Sequence, residues 1–307
     1  MKTDTLYKWL LGLSFWVFFS TGCEKELPYP ENTWVPRPVV HCIYSPGSNL
    51  KVFVSETQTP RDSVLFRPLK DAVVRLLDSS MQVVNTLYFR SSTGAYESGF
   101  KARPGTRYYL EVVHTQLGYT CIALDRTPNI KPSFTADTAT VFLRGQEGFF
   151  QFSLLLSDDA TDSNFYRIQA SRLFRSYRFT EGRVDSVDLE ELMQIQTSDF
   201  RFLESTNPQF SNTSLLLPDT DFKGRVAQIN LGTFDLKNIP DNERNLGVKL
   251  TIRSLSPHLF QYSRSLFEHR FYQSDPFSRT IPVFSSFSCG VGVFGSFQSD
   301  SIVYLFE

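Results

Sequence analysis

The run Gly290-Val291-Gly292-Val293-Phe294-Gly295 has the spacing of a dinucleotide-binding loop, Gly-x-Gly-x-x-Gly. Such a loop joins a strand to a helix within a βαβ unit, and an acidic residue follows about 20 residues later. Here only 12 residues follow Gly295, and they have the pattern of a strand. We therefore predict a glycine-rich strand in which two backbones approach closely, and no nucleotide cofactor.

The acidic run Asp158-Asp159-Ala160-Thr161-Asp162 offers the oxygen ligands that Ca²⁺ prefers. It lacks the loop glycine and the terminal Glu of an EF-hand, so we expect a solvated turn between two strands. Glu190 and Glu191 are carboxylates of the kind that glycosidases use, but they lie in a polar stretch. We expect a solvated patch there as well.

Other candidate catalytic groups are scattered along the chain. The four histidines form no H-E-x-x-H pair, and the chain has no G-x-S-x-G elbow. His41 and His114 fall in predicted strands, where we expect them to be cross-strand partners. No C-x-x-C occurs, which argues against a zinc site. The sequence therefore predicts a protein that is not an enzyme and binds no metal, with an anchored hydrolase as the least favoured alternative.

The N-terminus has the pattern of an export signal. Lys2 and Lys8 precede an apolar run from Leu10 to Phe19, and small residues then lead to Cys23. The run is shorter than the roughly 20 residues of a membrane span. We predict a lipoprotein signal peptide over residues 1–22, with acyl chains such as palmitate on Cys23 that anchor the chain in a bacterial membrane. The alternative is an ordinary residue after a secretory cleavage site, since Leu is more usual at the position of Ser20.

Composition predicts a mainly β fold. Aromatic residues make up 15% of the chain, which favours sheet. Residues 23–36 contain several prolines and charges and predict a tether. Seven short strands over 37–127 predict an immunoglobulin-like or transthyretin-like β-sandwich. Residues 128–307 predict a second β-rich domain with one packed α-helix near 256–272, which begins with Ser256 as N-cap. The net charge of -1 gives no reason to expect nucleic acid as a partner.

Three cysteines remain after Cys23. An exported chain lies where disulfides persist. Cys42 and Cys121 fall in two strands of the predicted first sandwich, so we expect these two to pair. Cys289 would then stay free and buried.

Residues 176–223 are polar and poorly periodic, and they predict long loops with a short helix near Leu189–Met193. Aromatic residues and arginines are concentrated there, as they are at protein interfaces. We expect part of this segment to form a docking surface for a partner barrel or a ligand. The alternative is that these aromatics complete the core of the second domain.

Several stretches resemble, in order, the DUF4249 family of Bacteroidota outer-membrane lipoproteins of unknown function. These stretches are PLKDAVVRLLD with ARPGTRYYLEV, SDDATDSNFYRIQ, LPDTDFKGRVAQINL and the ending IPVFSSFSCGVGVFGSFQSDSIVYLF. Such lipoproteins are often encoded beside TonB-dependent receptors, and the resemblance implies an accessory role in uptake. It implies no catalytic or ligand residues. The stretch Glu24-Lys25-Glu26 resembles the tags that send such lipoproteins to the cell surface, while a periplasmic orientation stays open.

That lineage attaches O-glycans at an Asp followed by Ser or Thr and then a small or aliphatic residue. Chance alone would give about one match in a chain of this composition. The chain has more matches than that, with predicted acceptors at Ser63, Thr138, Ser186 and Ser301.

The sequence thus supports a non-enzymatic outer-membrane lipoprotein that assists a TonB-dependent transporter or captures its ligand. A structural or adhesive surface lipoprotein is the alternative. Ligand, orientation and oligomeric state stay open at this point.

Overall fold

A computed structural model describes residues 35–59, 66–144, 147–180, 183–197, 199, 201–202, 213–234, 240, 242–273 and 281–306. The predicted signal peptide 1–22, Cys23, the tether apart from Val35 and Pro36, and Ser63 lie outside the described residues. The side chain of Thr138 lies outside them as well.

Strands dominate the described residues, which contain one α-helix. The elements are β1 (Pro38–Tyr44), β2 (Asn49–Glu56), β3 (Val73–Leu77), β4 (Val83–Arg90), β5 (Ala95–Lys101), β6 (Arg107–His114), β7 (Tyr119–Arg126), β8 (Ser133–Arg144), β9 (Glu147–Ser157), β10 (Phe165–Thr180), β11 (Arg183–Leu192), β12 (Gln194–Gln196), β13 (Leu215–Pro218), β14 (Val226–Phe234), β15 (Glu243–Leu255), α1 (Pro257–Gln273) and β16 (Val291–Leu305). The predicted mainly β fold with a packed helix is confirmed.

Five of the first seven strands, β1, β2, β3, β6 and β7, bury apolar side chains at alternate positions, whereas β4 and β5 do not. In β6, for example, Tyr108, Leu110 and Val112 are buried, while the residues between them are half-exposed. The strands follow the order β1-β2-β5-β4-β3-β6-β7, with antiparallel neighbours throughout. Their inward residues form one core, to which Phe294 of β16 also belongs. The alternation is what allows one face of each strand to be buried.

The segment before β16 covers the outer edge of β7. Ala123 forms an isolated bridge with Phe287, and the Ser288 N–H donates to the Ile122 carbonyl at 2.9 Å. The Ser286 N–H donates to the carbonyl of Gly292, which lies in β16, at 3.1 Å. Since β16 also pairs with β1, this segment closes the strand order of the first sandwich on itself.

A disulfide fixes this closure, and it corrects the predicted pairing. Cys121 of β7 is bonded to Cys289 with a Cα–Cα distance of 5.0 Å, whereas Cys42 is a buried free thiol. The predicted Cys42–Cys121 bond is therefore wrong. Cys289 follows directly on the segment that hydrogen-bonds to β7, while Cys42 lies in β1 opposite Phe294. Assigning Cys289 to a separate domain hid this proximity.

The later strands form a second sandwich. The sheet β12-β14-β9-β8 packs on β10, β15 and part of β16. Phe152, Leu154 and Leu156 of β9 face Ile168 of β10 and Leu250 of β15, and all are buried. In this second sandwich each sheet buries one apolar face against the other, as expected for stacked sheets.

Residues 176–223 form strands rather than long loops over most of their described part. β10 continues to Thr180 and returns as β11, and the two are antiparallel from Ser171↔Leu192 to Thr180↔Arg183. The helix predicted near Leu189–Met193 is wrong. β11 is exposed along both faces and shows no burial alternation, so its sequence carries no period that identifies a strand.

α1 confirms the predicted helix. The Leu259 N–H donates to the Ser256 Oγ at 3.4 Å, and Pro257 occupies the first helical position. Leu259 and Phe260 are buried against Leu255 and Val293, on the sheet face opposite the second core. The helix therefore covers β10, β15 and β16 from outside. Among the described residues, no helix is long and apolar enough to cross a membrane.

β16 belongs to both halves of the fold. Residues Val291 to Ser296 pair in parallel with β1, and residues Phe297 to Leu305 pair with β15. Contacts accordingly group Arg37–Glu307 as one unit, without a division at the predicted boundary between residues 127 and 128.

The glycine motif serves this shared strand. A Cβ on Gly292, whose φ is +137°, would lie 1.8 Å from the Val40 carbonyl oxygen. A Cβ on Gly295 would lie 2.8 Å from the Leu259 Cβ in α1. The predicted close approach of two backbones is therefore confirmed, and Gly295 in addition admits the helix.

Gly295→Ala should lower the free energy of unfolding by about 1–3 kcal/mol, since the added methyl overpacks β16 against Leu259. Gly99→Ala is the matched control, because its Cβ would meet nothing within 4 Å. Urea denaturation of both variants checks this. Equal stability for the two would contradict direct packing of α1 on β16.

Cys289→Ala should lower the free energy of unfolding by about 5 kcal/mol in the chain-entropy account, given a separation of 168 residues. Cys42→Ala, which removes only a buried thiol, should cost about 1 kcal/mol. Denaturation under non-reducing conditions measures both. Peptide mapping that links Cys42 to Cys121 would refute the pairing described here.

Candidate functional site

A cleft of about 380 Å³ lies where the two sandwiches meet. The end of β7 and the linker that follows it form one side, with Arg126, Asn129 and Lys131. The predicted acidic turn between β9 and β10 forms the other side, and Pro257 at the start of α1 closes one end. The cleft therefore collects side chains that are far apart in the sequence.

The acidic turn is held by its own hydrogen bonds. Asp158 accepts from the Tyr166 hydroxyl at 2.6 Å, from the Asn164 Nδ2 at 3.1 Å and from the Gly224 N–H at 2.8 Å. Asp159 accepts from the Thr161 N–H at 3.1 Å. Within the described ranges, no group of three His, Cys, Asp or Glu side chains is arranged to hold a metal ion. The run is a structured turn between two strands.

Asp219, which follows β13, also holds this turn through a hydrogen bond. It is 3% exposed, and its Oδ2 accepts from the Asn164 N–H at 2.7 Å. Burial raises the pKa of Asp219, and the charge of Asp158 acts in the same direction. In the sequence, Asp219 stands out only as part of the stretch LPDTDFKGRVAQINL that resembles the family.

A buried polar cluster lies beside the cleft, around Asp125 at the end of β7. Asp125 is 1% exposed and accepts from the Tyr44 hydroxyl at 3.3 Å and from the Ser296 hydroxyl. Its other oxygen, Oδ1, is buried without a hydrogen-bond partner among the described residues. Burial raises the pKa of Asp125 to about 6, although the hydroxyls of Ser296 and Ser256 oppose that shift.

Ser256 connects this cluster to α1. Its N–H donates to the Ser296 carbonyl at 2.8 Å, and its Oγ accepts from the Ser296 N–H at 3.1 Å. His258, the second residue of α1, donates from Nδ1 to the Leu124 carbonyl at 2.6 Å. The cluster thus fixes β1, β7, β16 and the start of α1 to one another.

The outer edge of β11 is a second candidate site. β11 ends the large sheet, so no described strand pairs with that edge. Four of its aliphatic side chains are exposed: Val184 by 58%, Val187 by 55%, Leu189 by 44% and Leu192 by 49%. Open edges are places where another polypeptide strand can add.

Most acidic residues of β11 form exposed ion pairs with basic residues of β10 and β15. Asp188 binds Arg175 with oxygen–nitrogen distances of 2.6 and 3.0 Å, and this contact lowers the pKa of Asp188. Glu190 lies 3.0 Å from the Lys249 Nζ, and Glu191 lies 3.0 Å from Arg172. Charges usually protect an open edge from association. Here three of the four acids are paired with basic side chains of the same sheet, which weakens that protection.

The remaining predicted residues fall at separate places. Ser186 and Ser301 are exposed on β11 and β16, and modification at either stays a prediction. His41 and His114 are not cross-strand partners, because β1 pairs with β2 and β16 while β6 pairs with β3 and β7. Asp125 has only one signal in the sequence, a charge at the end of an otherwise apolar strand, and it was not predicted as a site residue.

Asp125→Asn should remove a pH dependence of the free energy of unfolding. Since the pKa is raised from 3.8 to about 6, the folded chain holds the proton more tightly. The stabilisation that results is complete below pH 4 and is lost as the pH rises through 6. Between pH 4 and pH 7, the free energy of unfolding of the variant should therefore rise relative to that of the wild type by up to about 3 kcal/mol.

Urea denaturation at several pH values measures that difference. Asp188→Asn is the control. The pKa of Asp188 is lowered in the folded chain, so loss of this carboxyl changes the pH dependence of the free energy of unfolding in the opposite direction. A difference between Asp125→Asn and wild type that stays constant from pH 4 to 7 would contradict the buried carboxyl.

The comparisons with known proteins agree with the sequence resemblance. No curated protein matches the chain. The family described as Domain of unknown function (DUF4249) matches residues 24–302. This match covers both sandwiches except for the last strand residues of β16, and it includes the cleft and the β11 edge. The chain therefore belongs to the DUF4249 family.

Proposed function

We propose that this chain is a non-enzymatic outer-membrane lipoprotein, anchored through Cys23, that serves a TonB-dependent transporter as an accessory or ligand-capture partner. The observation that carries the proposal is the open edge of β11, with its four exposed aliphatic side chains. Main-chain groups along such an edge bind an extended segment of a partner, and alternate side chains give specificity.

The hairpin of β10 and β11 suits a docking element. β10 pairs with β15 over residues Phe165 to Ser176, which ties the base of the hairpin to the central sheet. The outer edge of β11 stays accessible on that rigid base. A partner segment can therefore add with little ordering cost on this side of the interface.

The disulfide supports export. Cys121–Cys289 is a structural bond between β7 and the segment before β16. Such bonds persist in oxidising compartments, which fits the predicted signal peptide. Localisation at the outer membrane, possible exposure at the cell surface and lipid on Cys23 belong to the proposal.

The non-enzymatic part of the proposal draws on how candidate catalytic groups are used. His114 bonds Asp71 at 2.9 Å through Nε2 and accepts from the Leu117 N–H at 3.2 Å through Nδ1, so both ring nitrogens have structural partners. His269 donates to the Ile281 carbonyl at 2.6 Å. Glu190 and Glu191 neutralise Lys249 and Arg172. An anchored hydrolase is therefore the least supported reading.

A structural or adhesive role is the second candidate. The exposed aliphatic side chains of β11 also suit contact with other surface proteins.

Val184→Lys with Val187→Lys should reduce co-purification of a TonB-dependent receptor by at least about tenfold, since two charges at the edge oppose strand addition. The measurement is a detergent pulldown from the outer membrane, with the receptor identified by mass spectrometry. Removing residues 181–198 is a poorer test, because Met193 and Ile195 belong to the second core.

The matched control is Val83→Lys with Val226→Lys. Those side chains are 54% and 60% exposed, on strands that have neighbours on both sides. The control should retain the receptor, and both variants should unfold at nearly the wild-type temperature. Failure of wild type to retain any receptor would favour the adhesive role. Equal loss in both variants would move docking away from β11.

A further inference from the structure

The cleft between the sandwiches has two chemically different walls. Pro128 and Ile130 in the linker, with Pro257 at the start of α1, supply apolar surface. Asp158, Asp159 and Asn164 of the acidic turn supply polar groups on the other side. Its volume of about 380 Å³ lies within the range of small-molecule sites.

The polar groups of the acidic turn are fixed before any ligand binds. Asp158 uses three donors, from Tyr166, Asn164 and Gly224, out of roughly four acceptor positions of a carboxylate. Asp159 is held by the Thr161 N–H at 3.1 Å and by its hydroxyl at 2.9 Å. Each carboxylate is thus oriented and still able to accept a further hydrogen bond. Groups fixed in advance lose little entropy on binding.

The charge in the cleft is nearly balanced. Arg126 lies 3.4 Å from Asp162, so this pair is neutral. Lys131 is exposed on the opposite side and supplies a donor against Asp158 and Asp159. The lining therefore carries acceptors and donors together, with a small negative excess that disfavours an anion.

We propose that this cleft binds a neutral polyhydroxylated molecule, of the saccharide class. The C–H faces of a sugar ring pack on the proline and isoleucine wall, while its hydroxyls donate to the fixed carboxylates and accept from Lys131 and Asn129. This inference deepens the ligand-capture part of the proposed function and rests on it for its purpose. Binding by the isolated chain requires no transporter.

The test is a titration of the purified mature chain, followed by NMR chemical shifts. Glucose, maltose and cellobiose are the neutral probes, and glucosamine and glucuronate are the cationic and anionic counterparts of glucose. We expect a neutral sugar to bind within a titration to about 10 mM, with shifts at residues 126–133, 157–166 and 254–257.

Asp159→Asn should weaken that binding at least about tenfold. Asp78→Asn is the matched control, because Asp78 likewise accepts from the N–H two residues later, Ser80, at 2.8 Å. Its turn joins β3 and β4, away from the cleft lining. Asp78→Asn should bind like wild type.

Three results would overturn the inference. They are no binding of any neutral probe, tenfold tighter binding of glucosamine than of glucose, or equal loss in the Asp159 and Asp78 variants. None of these results bears on the receptor pulldown, and a pulldown without receptor leaves sugar binding by the isolated chain intact. The two proposals can therefore fail separately.

Discussion

The parallel pairing of β16 with β1 is the constraint on which the fold depends. Of the strands described, the last binds the first, and the same strand continues as the partner of β15. Neither sandwich is therefore complete without β16: the first takes Phe294 from it and the second takes Tyr304. Such a contact closes a very long loop, which is entropically costly and must be offset by many cooperative contacts.

The change of partner in β16 explains where the buried polar groups lie. Ser296 is the last residue that pairs with β1, and Phe297 is the first that pairs with β15. At this point the strand leaves one neighbour, and its backbone groups bond instead to Ser256, the N-cap of α1. Asp125 binds the Ser296 and Tyr44 hydroxyls at the same junction. The raised pKa of Asp125 reflects the cost of burying a carboxyl there.

The two candidate sites use different physical features of this frame. The cleft exists because the β7 linker and the acidic turn are brought together by the shared strand, and its polar groups are fixed by the turn's own hydrogen bonds. The β11 edge exists because the large sheet ends there, with its acids turned toward Arg175, Lys249 and Arg172. One site is concave and polar, and the other is an extended main-chain edge. They suit a small ligand and a polypeptide partner respectively.

Local patterns in the sequence determined the strands of the first sandwich, the helix with its Ser256 cap, and the glycine-rich strand at the end. Each of these depends on neighbours within a few residues, where period and turn chemistry act directly. Tertiary structure decided the partner of Cys121, the pairing of β16 with β1 and the strand character of β11. Cys289 lies 168 residues from its partner, and β11 is exposed on both faces, so neither leaves a local pattern. Asp125 belongs to the same class, because its role arises only where four distant elements meet and exclude water.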